Sequence, residues 1–337
     1  MDRRSLIAGL AGGAGLAAIA GLGALSACQP RREPVDSYGR TRVRFATDWR
    51  AQAEHGGFYQ AVAKGYYSRR DLNVEIVQGG PSVNVPQLLA SGQVELGMGS
   101  NSFIPMNLTA ESAPVSVVAA FFQKDPQVLI AHPDETLTSI ADLAGRPFLL
   151  ADASRTAFWV WLKARYGFTD SQVRPYTFNP APFLADPTAV QQGYLTSEPF
   201  TIAQEAGFEP RVFLLADEGY PSYANMLLAP DALIRDNRSI VARFIEASVE
   251  GWQSYLTDDP GPADTLIKRA NPEMSQELLT WARDQLIANE IVVSEGGRID
   301  DMTAARWEEF FQVTSEAGVY QRDVDWRSAF TLDFLRS

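Results

Sequence analysis

The densest run of chemically useful side chains is Asp48-Trp49-Arg50-Ala51-Gln52-Ala53-Glu54-His55-Gly56-Gly57-Phe58-Tyr59. Trp49 offers a flat face for stacking, and Gln52 and His55 bring hydrogen-bond donors and acceptors. The run falls between an expected first strand and the helix after it, where open α/β sheets bind ligands. Amides at that helix start can receive polar or anionic atoms. The same residues also allow a plainer reading, with Trp49 in the core and Glu54–His55 as a surface pair. No motif for nucleophilic, zinc or phosphate chemistry is found: G-x-S-x-G, H-E-x-x-H and G-x-x-x-x-G-K are all missing. Gly97-Met98-Gly99-Ser100-Asn101-Ser102 begins like a dinucleotide loop but lacks the third glycine, and Asn107-Leu108-Thr109 is a glycosylation sequon by spelling only.

The elements that would position these groups alternate. Arg42–Thr47 reads as a strand with Val43 and Phe45 on one face, and a helix follows over about Gly57–Tyr67. Leu72, Val74 and Ile76 alternate again. Ser82 or Asn84 can cap a helix with Pro86 in its first turn, ending at Gly92. Further strands are expected at Val94–Met98, Val115–Phe121, Gln127–Ala131, Phe148–Ala151, Arg174–Phe178, Arg211–Leu215 and Asn225–Leu228, with helices over Thr138–Leu143 and Thr156–Tyr166. This order predicts a mostly parallel α/β sheet. From Ser239 the chain turns helical. Val241, Phe244, Ile245, Ser248, Val249 and Trp252 form one amphipathic stripe, and Thr303, Trp307, Phe310, Phe311 and Thr314 form another; both read as core.

Composition narrows the classes. The 337 residues carry 41 acidic and 29 basic side chains, a net charge of −12, which opposes a nucleic-acid partner. One cysteine excludes an intrachain disulfide, and two histidines exclude a His-rich metal site. The first residues read as an address: Arg3 and Arg4 precede an uncharged run, Leu6 to Ala27, rich in Gly, Ala and Leu. Leu25-Ser26-Ala27-Cys28 resembles a bacterial lipobox, so Cys28 is the expected lipidation site, and Asp2-Arg3-Arg4-Ser5-Leu6-Ile7 resembles a twin-arginine export signal. Residues 1–28 are thus read as signal and 29–40 as a tether, leaving an acidic body exported to the periplasm and held at the membrane by its lipid.

Taken together, Asp48-Trp49, Glu54-His55-Gly56-Gly57-Phe58-Tyr59, Lys64-Gly65-Tyr66-Tyr67 and Leu72-Asn73-Val74-Glu75 resemble the start of a solute-binding protein of the nitrate/sulfonate/thiamine-precursor type. Gly80-Pro81, Leu88-Leu89-Ala90-Ser91-Gly92, Val94-Glu95-Leu96-Gly97, Ser139-Ile140-Ala141-Asp142-Leu143-Ala144-Gly145 and Ser197-Glu198-Pro199-Phe200 extend the likeness over roughly 42–260. The resemblance implies a two-lobed α/β periplasmic-binding-protein fold of type II, with two crossovers and a ligand cleft between the lobes. Lobe one would be 41–130 with 230–337, and lobe two 131–229. It further implies a monomer that closes on a small molecule and delivers it to an ABC permease in the inner membrane, without cofactor, metal or catalytic residue.

On that frame, lobe one would offer Trp49, Gln52, His55, Tyr59, Asn84, Ser100 and Asn101 to the ligand. Lobe two would offer Ser154, Arg155, Phe158, Trp159 and Glu198, whose carboxylate could accept from an amino-heterocycle. Trp159 is favoured over Trp161 for the cleft; Tyr223 and Asn225 are weaker candidates, and His132 reads as a surface-turn residue. Aromatic faces outnumber basic groups, which favours a planar uncharged ring over a sulfonate or nitrate. The start also resembles the branch that binds thiamine-pyrimidine precursors or riboflavin. Two other readings remain beside anion import: a ligand-sensing lipoprotein, and a thiamine-pyrimidine synthase consuming pyridoxal phosphate and an active-site histidine with iron. Against the synthase, the positions matching its reactive lysine and sacrificed histidine hold Gly99 and Phe103, and its cysteine-rich motif is missing.

Overall fold

The computed structural model describes residues 34–293 and 296–335. Cys28, the rest of the expected signal and the first part of the tether lie outside the described residues. Among the described residues, ten strands make two five-stranded sheets, and each sheet is the floor of one lobe. The first holds β1 (Thr41–Ala46), β2 (Leu72–Val77), β3 (Leu96–Asn101) and β4 (Val115–Phe122), with β10 (Ala224–Pro230) inserted between β3 and β4. The second holds β5 (Gln127–Ala131), β6 (Phe148–Leu150), β7 (Val173–Pro175), β8 (Val190–Tyr194) and β9 (Arg211–Leu214), in the order β7-β6-β8-β5-β9.

Neither sheet is mostly parallel. β1 pairs in parallel with β2 and β3, and β6 with β7 and β8, but β10 runs antiparallel to β3 and β4, and β5 to β8 and β9. The cause is the route of the chain. It passes between sheets twice, and the strand that follows each passage enters its new sheet in the reverse direction. The passages fall at 123–126 and 215–223, so Gln127–Ala131 lies in the second sheet and Ala224–Pro230 in the first. Strand β8 is the strand that sequence patterning misses, because Gln191, Gln192 and Gly193 break its apolar run although both glutamines are buried. The third strand begins at Leu96 rather than Val94 and runs to Asn101, carrying Ser100 and Asn101 to its end.

Alternation in β1 buries Val43 and Phe45. Phe45 meets Phe58 at 4.7 Å and Phe244 at 5.1 Å between ring centroids, tying the sheet to helix Gly56–Ala63 and to the long helix Arg238–Thr257. Those two helices touch almost backbone to backbone. A Cβ on Gly57 would lie 2.2 Å from the Trp252 ring, and one on Gly251 would lie 2.2 Å from the Gly57 carbonyl oxygen and 2.7 Å from Ala61 Cβ. Glycine inside a helix costs about 1 kcal/mol, and here the close approach requires it. Trp307 and Phe310, from the second predicted stripe, are buried in helix Ala304–Glu316. Among the described residues no helix is long and apolar enough to cross a membrane.

The Gly251 contact yields a test. Gly251→Ala should lose about 1–3 kcal/mol by overpacking, even though alanine favours the helix by about 1 kcal/mol. Urea unfolding measures it, and a variant as stable as the parent would show that the two helices can separate without cost.

Candidate functional site

A cleft of about 270 Å³ lies between the two sheets, walled by the loop after β1, the end of β3, both passages between the sheets, and the second-lobe segments 151–158, 178 and 192–198. The loop 47–55 is held at several backbone groups. The Thr47 hydroxyl and the Gly79 amide both donate to the Trp49 carbonyl (2.9 and 3.0 Å). Ala51 donates to the Gln78 side chain (3.1 Å) and accepts from Asn271 Nδ2 (2.9 Å). Asn225 Nδ2 donates to the Glu54 carbonyl (2.7 Å). A short turn, Ala53–His55, then runs directly into helix Gly56–Ala63.

Eight of the residues expected to meet a ligand line this cleft: Trp49, Gln52, His55, Ser100, Asn101, Ser154, Phe158 and Glu198. Four do not. Tyr59 points from the same helix into the first-lobe core. Asn84 caps helix Val85–Ala90, accepting from the Gln87 amide (3.1 Å), a role that uses its side chain away from the cleft. Arg155 is an exposed residue 3.8 Å from Asp152, because the short helix it ends turns it outward. Trp159 is fully buried between Phe148 and Phe168, with its indole N–H donated to Asp170 (2.8 Å); Trp161 is buried too. Of the weaker candidates, Tyr223 and Asn225 are buried in and beside β10, outside the lining. His132 is half-buried rather than a surface-turn residue. Its ring packs 4.4 Å from Phe183, with Nε2 2.8 Å from the Phe183 carbonyl oxygen.

The residues that sequence reasoning missed are chiefly acids and aromatics. Asp48, Glu54 and Asp125 join Glu198 in the lining, and no lysine or arginine is among the lining residues. Glu54–His55 is not a surface pair: the two are 3% and 1% exposed. His55 Nε2 lies 3.4 Å from Asp48 Oδ1, and His55 Nδ1 has no protein partner. Burial works against charge on Asp48, yet His55 and the Ser100 hydroxyl hold its carboxyl below the usual range. Burial instead pushes Glu54 and Asp125 up to about 7, and raises Glu198 as well. Glu198 takes hydrogen bonds from the Tyr194 amide (2.8 Å) and the Tyr176 hydroxyl (3.5 Å). Tyr194, at the end of β8, lies within reach of all four carboxylates; its hydroxyl is pushed far up by burial and by their charge.

Two contacts bridge the lobes at the cleft. The Thr196 hydroxyl donates to Glu54 Oε1, and Trp49 packs on Phe178, ring centroids 5.3 Å apart. Phe178 holds φ +60°, a left-handed backbone that costs a phenylalanine about 1–3 kcal/mol, while its ring stays 53% exposed. Nothing in the residues around Phe178 signals that role, since it depends on Trp49, 129 positions away. Among the described residues no group of three or more His, Cys, Asp or Glu is placed to hold a metal ion.

Two sheets of this order, crossed twice and enclosing a polar and aromatic cleft, define the periplasmic solute-binding class of fold. Residues 52–263 match the family described as NMT1/THI5 like, and the chain belongs to that family. It is 27% identical over 325 residues to the riboflavin-binding protein RibY of Chloroflexus aurantiacus, covering 92% of this chain and 91% of that protein. It is 22% identical over 295 residues to a formylaminopyrimidine-binding protein of Halalkalibacterium halodurans, covering 85% and 88%. In fold it is similar to the periplasmic aliphatic sulphonate binding protein SsuA of Escherichia coli, with a TM-score of 0.62 at 15% identity, covering 86% and 91%.

The raised acids give the site a pH dependence. Glu54 and Asp125 bind protons more tightly in the folded than in the unfolded chain, so their stabilising contribution is full below about pH 4 and falls as pH rises through about 7. The melting temperature of the ligand-free protein should therefore drop between pH 5 and 8. Glu54→Gln should flatten part of that drop. An unchanged slope would mean that Glu54 is already ionised at pH 5.

Proposed function

We propose that this protein is the solute-binding lipoprotein of an ABC import system, and that it captures a small planar heterocycle by closing its lobes. The observation that carries this reading is the lining itself, in which Trp49, Phe158 and Phe178 supply aromatic faces and four carboxylates supply acceptors. A ring bearing N–H or O–H donors is matched by such a wall. A sulfonate or nitrate is opposed by it, because the acids would repel the anion and no lining lysine or arginine would offset that. A cleft of about 270 Å³ falls just below the roughly 300–1,000 Å³ usual for ligand sites. That supports a one-ring pyrimidine of the thiamine-precursor kind in this arrangement, and a three-ring flavin would need the lobes further apart.

The synthase reading draws little support. Phe103, at the position of the consumed histidine, is core, packed 4.9 Å from Phe310, and Gly99 lies inside β3. With neither a lysine nor a histidine at those positions, the enzyme's two reacting side chains have no counterpart. We therefore read the protein as a binder and not an enzyme, anchored in the periplasm through Cys28.

A thermal-shift panel of formylaminopyrimidine, riboflavin, taurine, nitrate and pyridoxal phosphate tests the ligand class. A ligand at about 100 times its dissociation constant adds roughly 2.7 kcal/mol, a shift of a few degrees. One heterocycle should stabilise the protein and be recovered unchanged, and Trp49→Ala should weaken its affinity at least tenfold without unfolding the chain. Stabilisation by taurine or nitrate alone would refute the heterocycle. Cys28→Ser should move the protein from the membrane to the soluble periplasmic fraction, and a variant that still pelleted with membranes would remove the lipid anchor.

A further inference from the structure

Asp125 is 1% exposed and sits in the first passage between the sheets, yet it lines the cleft. One carboxylate oxygen, Oδ1, accepts from the Gln127 amide at 3.1 Å. The other, Oδ2, has no hydrogen-bond partner in the protein. The Ser222 hydroxyl, from the second passage, lies near enough to favour the charged carboxyl, but it makes no hydrogen bond to Oδ2 and donates to the Tyr223 carbonyl at 2.8 Å. A buried carboxylate oxygen left unpaired costs stability, and most buried polar atoms in proteins are paired. An acceptor kept bare inside a ligand cleft is best explained by a donor that arrives with the ligand.

We propose that Asp125 Oδ2 receives a hydrogen bond from an N–H or O–H group of the bound heterocycle and so selects ligands that carry a donor at that position. The inference rests on the heterocycle reading above and adds to it a specificity-determining residue. It also places that residue where the chain passes between the lobes. A ligand seated there touches the segment that must bend on closure, together with the Trp49 and Phe178 walls on either lobe.

Asp125→Asn tests this, because it keeps the shape and the Gln127 hydrogen bond through Oδ1 but turns an amide donor toward the cleft. In the ligand-free protein at pH 8, its melting temperature should rise by about 2 °C or more, since the cost of burying the Asp125 charge outweighs what nearby Ser222 and Arg306 return. Calorimetry with formylaminopyrimidine, riboflavin and lumiflavin, which keeps the flavin ring but lacks the hydroxylated chain, should show at least a tenfold loss for whichever probe the parent binds. Loss shared by riboflavin and lumiflavin assigns the donor to the ring, and loss for riboflavin alone assigns it to the chain hydroxyls. A lower melting temperature would make Asp125 a structural residue and overturn the proposal. So would unchanged affinity in the variant while the parent binds, which would leave the heterocycle reading standing. A parent that binds none of the three probes would overturn both.

Discussion

The close contact between helices Gly56–Ala63 and Arg238–Thr257 is the constraint on which the cleft depends. Gly57 and Gly251 let the two backbones meet, and the Trp252 ring lies against Gly57 where a side chain would otherwise be. Because the first helix is pinned in this way, the turn just before it is pinned as well, and that turn carries Glu54 and His55. Asn225 and Asn271 complete the arrangement from distant parts of the chain, holding the Glu54 and Ala51 carbonyls. The His-Gly-Gly-Phe-Tyr run is therefore one unit of packing and positioning: the glycines seat the helix, Phe58 fills the core, and His55 faces the cleft.

Electrostatics gives the cleft its second property. Four carboxylates around a half-buried tyrosine, with no lysine or arginine in the lining, form a site that is costly to ionise fully. The acids answer the cost differently. Asp48 stays charged beside His55, whereas Glu54 and Asp125 hold their protons until near neutrality. The wall thus offers an acceptor at Asp48 throughout and further acceptors at Glu54 and Asp125 as pH passes about 7, which suits a ring bearing N–H or O–H donors.

Much of this was legible in the sequence, and the limits have physical causes. The alternation of Val43 and Phe45, the Asn84–Pro86 helix start and the Val241–Trp252 stripe are local patterns, and each element forms where its pattern lies. Trp49, Gln52 and His55 could be placed at the cleft because they follow a strand end. Trp159 could not be separated from a cleft residue by helix spacing alone, since its burial depends on Phe148 and on Phe168 beyond the helix end. Asp125 and Phe178 carry no local signal; one matters because two passages meet beside it, the other because a left-handed backbone aims it across the cleft. The reversed strands β5 and β10 were invisible for a similar reason: pairing direction is set by the path of the whole chain.

That path has a consequence for assembly. β4 borders the first sheet only through β10, so residues 115–122 have no neighbour in that sheet until residues 224–230 have been synthesised. The second sheet draws all five strands from 127–214 and can close as soon as that stretch is available. The half of the protein made first is therefore the half completed last, and its partly built sheet must wait, with an open edge, while the other lobe forms. No one cut can release either lobe whole, because the first is split by the second.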